Sequence, residues 1–316
     1  KLFCGCSTEF GGAPNTHTCP VCTGMPGSLP VLNRQALKYA IAVGLATGCE
    51  ITRHSKFDRK NYFYPDNPQN YQISQLYLPI CRNGHIEIET AAGKKSVGIH
   101  EIHMEEDAGK LIHSEKDNGP SYIDLNRSCV PLIEIVTEPD IRSPMEAEKF
   151  LLSLKKILEY LEVSDCNMEE GSLRCDANVS VRQKGTERFG VKTEIKNMNS
   201  FKSVRKAIEY EANRQVSLLE KRERVVQETR FWNETLQITE GMRSKEEAHD
   251  YRYFPEPDLV PFTVDNRWIE EITAQLGELP LQRKERFIKD YNLSEYDAGV
   301  LTSVKSMADY FEKCIV

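Results

Sequence analysis

The sequence predicts an α+β fold, with a mostly antiparallel sheet domain followed by the start of an all-α domain. Segments that alternate polar and apolar residues are interspersed with amphipathic helical segments, without the regular strand–helix repeat of a parallel α/β protein. Of the 316 residues, 40% are hydrophobic and 28% are charged, which is typical of a globular chain and excludes whole-chain disorder, collagen and coiled coil. The length favours two domains, which we place at residues 1–276 and 277–316.

The net charge, the lack of a long apolar run and the two ends of the chain limit the classes of function to be considered. The 41 basic and 48 acidic side chains give a net charge of −7, which argues against a general nucleic-acid coat but leaves room for a local basic face. No apolar run approaches the ~20 residues of a membrane span, so we predict no membrane association. The chain begins at Lys1 without a methionine and ends at Val316 within an apolar pattern, so we expect both ends to be cut.

The first half of the chain is predicted to contain loops, one helix and several strands. Residues 2–30 are rich in Gly, Pro, Cys and Thr, which predicts a loop, and residues 33–46 have the apolar spacing of a helix. The polar and aromatic residues 55–75 predict a second, long loop. Strands are predicted over 85–89 and 95–106, where polar and apolar residues alternate, and also over 121–125 and 130–136.

Helices dominate the predictions for the second half. One begins at Ser143, where a capping serine, Pro144 at the first helical position and Glu146 form a capping box. Another is predicted over 200–222. From Leu279 onward the pattern is helical to the end, and we interpret this as the start of the all-α domain.

Four of the ten cysteines lie close together near the start of the chain, at Cys4, Cys6, Cys19 and Cys22. The other six are scattered singly, as in proteins of a reducing compartment. Two short cysteine pairs joined by a loop supply the four soft ligands that Zn²⁺ takes in a closed tetrahedron. We therefore predict a structural zinc site. Unmetallated thiols and a redox pair are the alternatives, and a zinc loop does not by itself decide the function.

Two segments predict a hairpin with one polar face. Over residues 173–182, and again over 191–196, apolar side chains alternate with polar ones, which places each set on one face of a strand. A solvated outer face of an antiparallel sheet explains the pattern as well as a functional site does. The predicted polar face carries Arg174, Asp176, Asn178, Arg182, Lys192, Glu194 and Lys196.

Acidic side chains elsewhere indicate a cation site. Glu134 has two aliphatic residues on each side, so we expect its carboxylate to be half or fully buried with a cation near it. Three consecutive acids, Glu105 to Asp107, end a predicted strand and need compensating charge. Such oxygen-rich sites suit Mg²⁺ with phosphates. His100 and His103 do not have the spacing of a zinc protease, and we interpret them as strand residues rather than ligands.

Common nucleotide-binding and hydrolase motifs are absent from the sequence. It contains no GxxxxGK[ST] phosphate loop, no GxGxxG, no GxSxG elbow and no kinase signature set. Any ATP site in this chain therefore uses a different cradle.

Six segments resemble the B subunit of the tRNA-dependent amidotransferases, and the resemblance runs from Lys1 to about Phe311. The segments are FDRKNYFYPDNPQNYQISQ (57–75), HMEEDAGK (103–110), PLIEIVTEPDIRSP (131–144), MEEGSLRCDANVSVR (168–182), EIKNMNSF (194–201) and DYRYFPEPDLVP (250–261).

The resemblance implies a cytoplasmic ligase of protein biosynthesis. ATP with Mg²⁺ would phosphorylate the side-chain carboxylate of misacylated Glu-tRNA(Gln) or Asp-tRNA(Asn), and ammonia would then displace the phosphate. The A subunit, an amidase, would make the ammonia from glutamine, and a small C subunit would complete the heterotrimer. The family fold is a cradle-shaped α+β domain, a helical domain and a tail domain that touches tRNA. A family strand with a Glu-x-His metal pair would precede Lys1, and the tail would follow Val316.

Phosphoryl transfer depends on positioning and charge neutralisation, so acids and bases are the expected site residues. We predict that Glu106, Glu134 and Asp176 hold Mg²⁺. The same polar face supplies Glu194 as a further catalytic residue. Lys60 is predicted to gate ammonia against Glu106, with a plain surface lysine as the alternative. The residues predicted to hold phosphate or the substrate carboxylate are Arg174, Lys192 and Lys196.

A basic stretch favours a tRNA footprint, although a solvated helix face explains it nearly as well. Residues 196–230 contain nine Lys or Arg and five acids. Two other functions compete with the amidotransferase. A non-catalytic, zinc-stapled tRNA scaffold would need basic and aromatic residues rather than acids such as Glu134 on its sheet. A stand-alone ATP-dependent ligase would need its own amine site, and we find none in the sequence.

Overall fold

The computed structural model describes residues 1–113, 119–242 and 251–315, and this part of the chain is a mixture of helices and mainly antiparallel sheets. Its seven helices are α1 (Arg34–Ala46), α2 (Pro144–Tyr160), α3 (Phe201–Glu220), α4 (Asn266–Gln275), α5 (Pro280–Tyr291), α6 (Glu295–Leu301) and α7 (Lys305–Ile315). None of the helices in these ranges has both the length and the apolar character needed to cross a membrane. The predicted combination of helices with mostly antiparallel strands is confirmed.

Fifteen strands are present in the described ranges. The first eight are β1 (Glu50–Ile51), β2 (His54–Ser55), β3 (Asp58–Asn61), β4 (Tyr71–Ser74), β5 (Cys81–Thr90), β6 (Gly93–Glu106), β7 (Lys110–His113) and β8 (Ser121–Asp124). The others are β9 (Pro131–Thr137), β10 (Ala177–Val179), β11 (Thr193–Lys196), β12 (Thr229–Asn233), β13 (Ile238–Gly241), β14 (Phe254–Pro255) and β15 (Phe262–Thr263).

The chain forms two compact units, each assembled from three segments. Unit 1 comprises Lys1–His85, Gly98–Pro139 and Asp250–Leu279. Unit 2 comprises Ile86–Val97, Asp140–His249 and Pro280–Val316. The contiguous domains at 1–276 and 277–316 stay a prediction.

Strands β1, β5, β6 and β9 form a four-stranded sheet with β9 at its edge, and its residues up to His85 and from Gly98 onward belong to unit 1. Strand β6 pairs with β9 in antiparallel register from Ile99 to Glu106. Helix α1 begins after Asn33, whose side chain accepts hydrogen bonds from the N–H groups of Gln35 and Ala36. Its buried side includes Ile41. The predicted helix and the alternating strands are therefore confirmed here.

Residues 55–75 do not form the continuous loop that the sequence predicts. Strands β3 and β4 pair in antiparallel register, with Asp58 opposite Ser74, and β14 adds a third strand beside β3. The loop prediction is wrong because polar side chains occupy buried positions: Asp58 is fully buried and Ser74 is 2% exposed. Hydrophobic alternation cannot reveal a strand whose inward side chains are polar.

In unit 2, both predicted helix starts are confirmed. The Ser143 hydroxyl accepts a hydrogen bond from the N–H of Glu146 at the start of α2, and Ser200 does the same for Ser203 at the start of α3. The helical pattern after Leu279 is also confirmed, because α5, α6 and α7 follow, with Phe287 fully buried among them.

The predicted hairpin of unit 2 is present but shorter than expected. Strand β10 pairs with β11 in antiparallel register, with Asn178 opposite Glu194, and the alternation of exposed and buried residues holds from Leu173 to Val179. Val191 was expected on the apolar face but is 46% exposed, because the ladder begins only at Thr193. Strand β12 then adds in parallel to β11, so the sheet β10-β11-β12-β13 is mixed.

A fully buried carboxylate in α3 ties the helix to this sheet. Glu211 accepts hydrogen bonds from Arg214 (2.9 and 2.7 Å), from Gln215 Nε2 (2.9 Å) and from the Thr239 hydroxyl (2.8 Å). Gln215 also donates to the Val179 carbonyl at 3.0 Å. Burial alone would raise the pKa of Glu211, but the donors Arg214, Gln215 and Thr239 hold it below its usual value.

Replacing Glu211 by alanine is expected to lower the free energy of unfolding by about 3 kcal/mol at neutral pH, because the partly buried Arg214 cation and the buried Gln215 amide lose their acceptor. A depressed pKa stabilises the fold only above the unfolded value of about 4.3, and this stabilisation is lost as pH falls through the folded value. Denaturant titration at pH 7 and pH 4 checks both statements. The exposed neighbour Glu209→Ala is the control and should change stability by less than about 0.5 kcal/mol. A Glu211→Ala variant as stable as the wild type at pH 7 would contradict the assignment.

Candidate functional site

Two adjacent strands of unit 1 bring one histidine and two carboxylates together. His103 and Glu105 are two residues apart on β6, so they share a face, and the register places Glu134 of β9 opposite His103. The His103 Nε2 atom lies 3.0 Å from Glu134 Oε2 and 3.2 Å from Glu105 Oε1. One ligand atom from each of the three side chains lies within 4.8 Å of the others. We call these three residues the acid site.

The acid site stabilises positive charge. Burial alone would lower the pKa of His103, but hydrogen bonds and charges of Glu105 and Glu134 raise it to about 9. Burial would raise the pKa of Glu105, but His103, then the Lys60 charge and the Ser74 hydroxyl, lower it. In the described structure, the buried His103 Nδ1 atom has no hydrogen-bond partner. The chemistry of the donor set therefore fits a divalent cation, with the two carboxylates as the oxygen ligands that Mg²⁺ prefers.

Glu134 differs from the sequence-based expectation. Its side chain is 55% exposed, so the expectation of full burial is wrong and a little under half of the side chain is covered. Burial is incomplete because β9 is an edge strand, so that Ile133 and Ile135 on its other face are themselves only partly buried. Glu134 has a cationic neighbour all the same, and that neighbour is His103. The signal that could have found it is the two-residue spacing of His103 and Glu105.

Glu106 points away from the acid site and lies in a different, fully buried environment. Its side chain is on the opposite face of β6 from Glu105, and it accepts a hydrogen bond from the Ile73 N–H at 2.9 Å. Burial raises the pKa of Glu106 to about 7. The third acid, Asp107, pairs with Arg127 at 3.2 Å. Glu105 and Asp107 therefore each have a cationic side chain beside them, whereas Glu106 has a backbone N–H and a raised pKa.

Lys60 lies on β3, on the face that looks toward Glu105. It is paired with Gln72 of β4, whose side-chain N–H donates to Glu105 Oε2 at 3.0 Å. Its Nζ atom lies 5.0 Å from the centre of the Tyr251 ring. The structure thus places Lys60 among groups of the acid site, and its charge helps to lower the pKa of Glu105.

The remaining predicted site residues are in unit 2. Lys196 Nζ lies 3.0 Å from Asp176 Oδ2 and 3.5 Å from Glu194 Oε1, on the polar face of the β10–β11 hairpin. Arg174 and Lys192 are exposed on either side of this group. The predicted magnesium ligands are therefore distributed over both units, with Glu106 and Glu134 in unit 1 and Asp176 in unit 2.

The four N-terminal cysteines converge in unit 1. Sulfur atoms of Cys4, Cys6, Cys19 and Cys22 all lie within 4.8 Å of one another. Burial alone would raise the pKa of the Cys19 thiol, but the N–H groups of Cys22 and Val21 hold it at about 7, which favours a thiolate. Tetrahedral zinc with Zn–S bonds of ~2.3 Å requires four sulfurs in such a cluster, so the donor set fits Zn²⁺.

Comparison with known families shows to which family the chain belongs. Residues 1–270 match the family model described as the GatB/GatE catalytic domain. The chain belongs to this family. It is 64% identical over 315 residues to the B subunit of the aspartyl/glutamyl-tRNA(Asn/Gln) amidotransferase of Caldicellulosiruptor bescii, a match that covers 100% of this chain and 65% of that relative. It is 63% identical over 312 residues to the protein of the same name from Agathobacter rectalis, covering 99% of this chain and 66% of the relative.

Membership of the GatB/GatE catalytic domain family confirms the resemblance carried by the six sequence segments. The matched range contains the acid site, the cysteine cluster and the β10–β11 hairpin. The chain spans about 65% of the length of the relatives it matches.

Proposed function

We propose that this chain is the activating part of the B subunit of an aspartyl/glutamyl-tRNA(Asn/Gln) amidotransferase, a ligase of protein biosynthesis. It phosphorylates the side-chain carboxylate of misacylated Glu-tRNA(Gln) or Asp-tRNA(Asn) with ATP, and the phosphate is then displaced by ammonia. The observation that carries the proposal is the acid site, a cation-stabilising cluster within the range that matches the catalytic-domain model.

The residues of unit 1 provide the metal and ammonia functions of the proposal. Glu105 and Glu134 hold Mg²⁺, which supplies charge neutralisation for the transferred phosphoryl group when bound. Glu106 is assigned to ammonia handling because a carboxyl group with a pKa of about 7 exchanges its proton readily at neutral pH. Glu106 lines a narrow pocket together with Tyr62, Gln72 and Ser128. Lys60 contributes a positive charge to the proposed site, and this charge lowers the pKa of Glu105.

The residues of unit 2 provide polar groups for substrate binding. Arg174, Lys192 and Lys196 bind phosphate oxygens or the substrate carboxylate through charge-assisted hydrogen bonds. Asp176 and Glu194 fix the Lys196 ammonium from two sides, and Asp176 remains a proposed oxygen ligand for Mg²⁺. Because no phosphate-loop motif is present, the nucleotide is held by side chains and not by a glycine-rich backbone turn.

The proposal also covers the partner subunits of the enzyme, its cellular location and its zinc site. Ammonia comes from glutamine hydrolysis in the A subunit, the small C subunit makes up the heterotrimer, and the complex works on tRNA in the cytoplasm. Zn²⁺ has a structural role in the cysteine cluster, where four sulfurs leave no open coordination position. In this proposal residues 1–276 belong to the cradle domain of the family, and α5 to α7 begin its helical domain.

The test of the function is ATP hydrolysis by the complete complex, measured with and without misacylated tRNA. We expect hydrolysis to depend on Glu-tRNA(Gln) or Asp-tRNA(Asn), and correctly charged Gln-tRNA(Gln) is the matched control. Hydrolysis at the same rate with no tRNA, or amidation without ATP, would refute the proposal. A scaffold without catalysis is the second candidate, but it gives no reason for two carboxylates around one buried histidine.

The basic helix α3 is expected to contribute to tRNA binding through its exposed lysine rather than through all its cations. Arg214 is bound to Glu211 and Arg205 lies 3.3 Å from Glu148, so both have structural partners. Lys202 is exposed. Lys202→Glu should weaken tRNA binding several-fold in about 50 mM salt and reduce the salt slope by about one, because one phosphate contact is lost. The control is Glu209→Gln on the same helix. Equal affinity and equal salt dependence for Lys202→Glu would assign this face to solvent or to a partner protein.

A further inference from the structure

A bidentate ion pair fastens the segment around β14 to β3 within unit 1. Arg59 Nε lies 2.6 Å from one oxygen of Glu256, and Arg59 Nη2 lies 2.9 Å from the other. Glu256 is 3% exposed. The guanidinium also packs 4.1 Å from the centre of the Tyr71 ring. A planar fork on a carboxylate fixes orientation as well as distance, so this pair sets the position of β14 along β3.

The fastened segment carries Tyr251, which is held on several sides. Its carbonyl accepts a hydrogen bond from the Asn61 N–H at 2.9 Å. Its ring centre is 6.2 Å from that of Tyr62 and 6.2 Å from that of Tyr253, both in edge-to-face geometry. The ring presents itself to the Lys60 ammonium at 5.0 Å, which is within the range of a cation–π contact.

Two consecutive residues of β3, Arg59 and Lys60, therefore have different roles. Arg59 and Lys60 point to opposite faces of the strand, because side chains alternate. Arg59 holds Glu256, whereas Lys60 shares its face with Gln72, which donates to Glu105. A lysine side chain has many rotamers in the absence of a fixed partner, and the Tyr251 ring is the aromatic partner that the structure gives it.

We propose that Arg59 and Glu256 are positioning residues, which act through Tyr251 to hold the Lys60 ammonium beside Glu105 of the acid site. The catalytic consequence rests on the proposed function, whereas the structural consequence for Lys60 does not. Asp258 also contacts Arg59, at 3.0 Å, but is more exposed and is outside the bidentate pair, so it provides a matched control.

The first measurement is amidation by the complete complex with ammonium chloride as the nitrogen source. Glu256→Gln and Tyr251→Leu should each lower kcat about tenfold, with the KM for misacylated tRNA changed less than about twofold, because positioning and not binding is lost. Tyr251→Phe keeps the ring and Asp258→Asn keeps the bidentate pair, so both should retain wild-type kcat within about twofold. The Glu256→Gln/Tyr251→Leu double variant should be no slower than the slower single variant, since both act on one element.

The second measurement does not depend on activity. Lys60 labelling by acetic anhydride, followed by mass spectrometry on the full-length protein in its complex, should be several-fold faster in Glu256→Gln and Tyr251→Leu and unchanged in the two controls. Wild-type labelling rates in both variants would overturn the proposal, whatever happens to amidation. Faster labelling in a complex whose wild type shows no amidation would support the positioning role and refute the proposed function instead.

Discussion

Replacing Glu134 by glutamine is expected to reduce tRNA-dependent ATP hydrolysis by about 100-fold, a loss of a few kcal/mol of transition-state stabilisation. The substitution keeps the shape of the side chain and removes one of the three negative charges around His103, since Glu101 Oε1 also lies 3.8 Å from its Nδ1 atom. Because Glu134 is 55% exposed and lies on an edge strand, its neutralisation should leave the fold intact. Glutamine hydrolysis in the partner amidase should survive at least in part, because that chemistry takes place elsewhere.

The chain offers a matched control for this variant. Glu138 is also paired with a strand histidine, His100 at 2.9 Å, but both side chains are exposed and neither belongs to the acid site. Glu138→Gln should therefore keep the wild-type rate within about twofold. Asp176→Asn tests the unit 2 ligand in the same assay, and a large loss is expected there too. Folded Glu134→Gln and Asp176→Asn enzymes that phosphorylate and amidate at wild-type rates would show that the site is elsewhere.

Replacing Cys19 by serine is expected to reduce the zinc content from one ion per chain to none. The reason is that structural zinc needs four protein ligands, and loss of one thiolate opens the site to water and to exchange. Residues 1–33 contain no helix or strand, so their order depends on this cluster, on the buried Leu2 and Phe3, and on hydrogen bonds to residues 123–129. Hydrogen exchange in this loop should accelerate while the helices of unit 2 keep their protection.

Metal analysis of the purified protein checks the zinc prediction directly. Cys314→Ser, at an exposed and isolated cysteine, is the control and should keep the metal. Wild-type protein that contains no zinc, and in which all four clustered thiols react freely with a thiol reagent, would refute the prediction.

Sequence reasoning was most successful where a local rule determines the structure. A capping serine and the 3.6-residue period located α2, since both the N-cap hydrogen bond and the apolar stripe belong to one helix. The paired cysteines likewise predicted their own convergence, because the short spacing within each pair suits a single tetrahedral ion. The two-residue alternation around Asp176 predicted the β10–β11 pairing, although not the length of its ladder.

Local sequence rules could not predict the acid site, because it depends on the register between strands that are far apart in sequence. Glu105 and Glu106 are adjacent, yet one contacts His103 and the other is buried against Ile73. Only the orientation of β6 relative to its neighbours decides between them. Burial of Glu134 was also misjudged, because aliphatic neighbours indicate a sheet but do not tell an edge strand from a central one.

The Arg59–Glu256 pair has a consequence for biosynthesis, because its members are 197 residues apart in the chain. At ~5–20 residues per second, a ribosome needs about 10 to 40 seconds to deliver the second member after the first. During that interval β3 lacks its neighbour β14 and presents an open edge, to which strands of other nascent chains can add. The speed of translation, and not only the stability of the finished fold, therefore influences how much native protein a cell obtains from this chain.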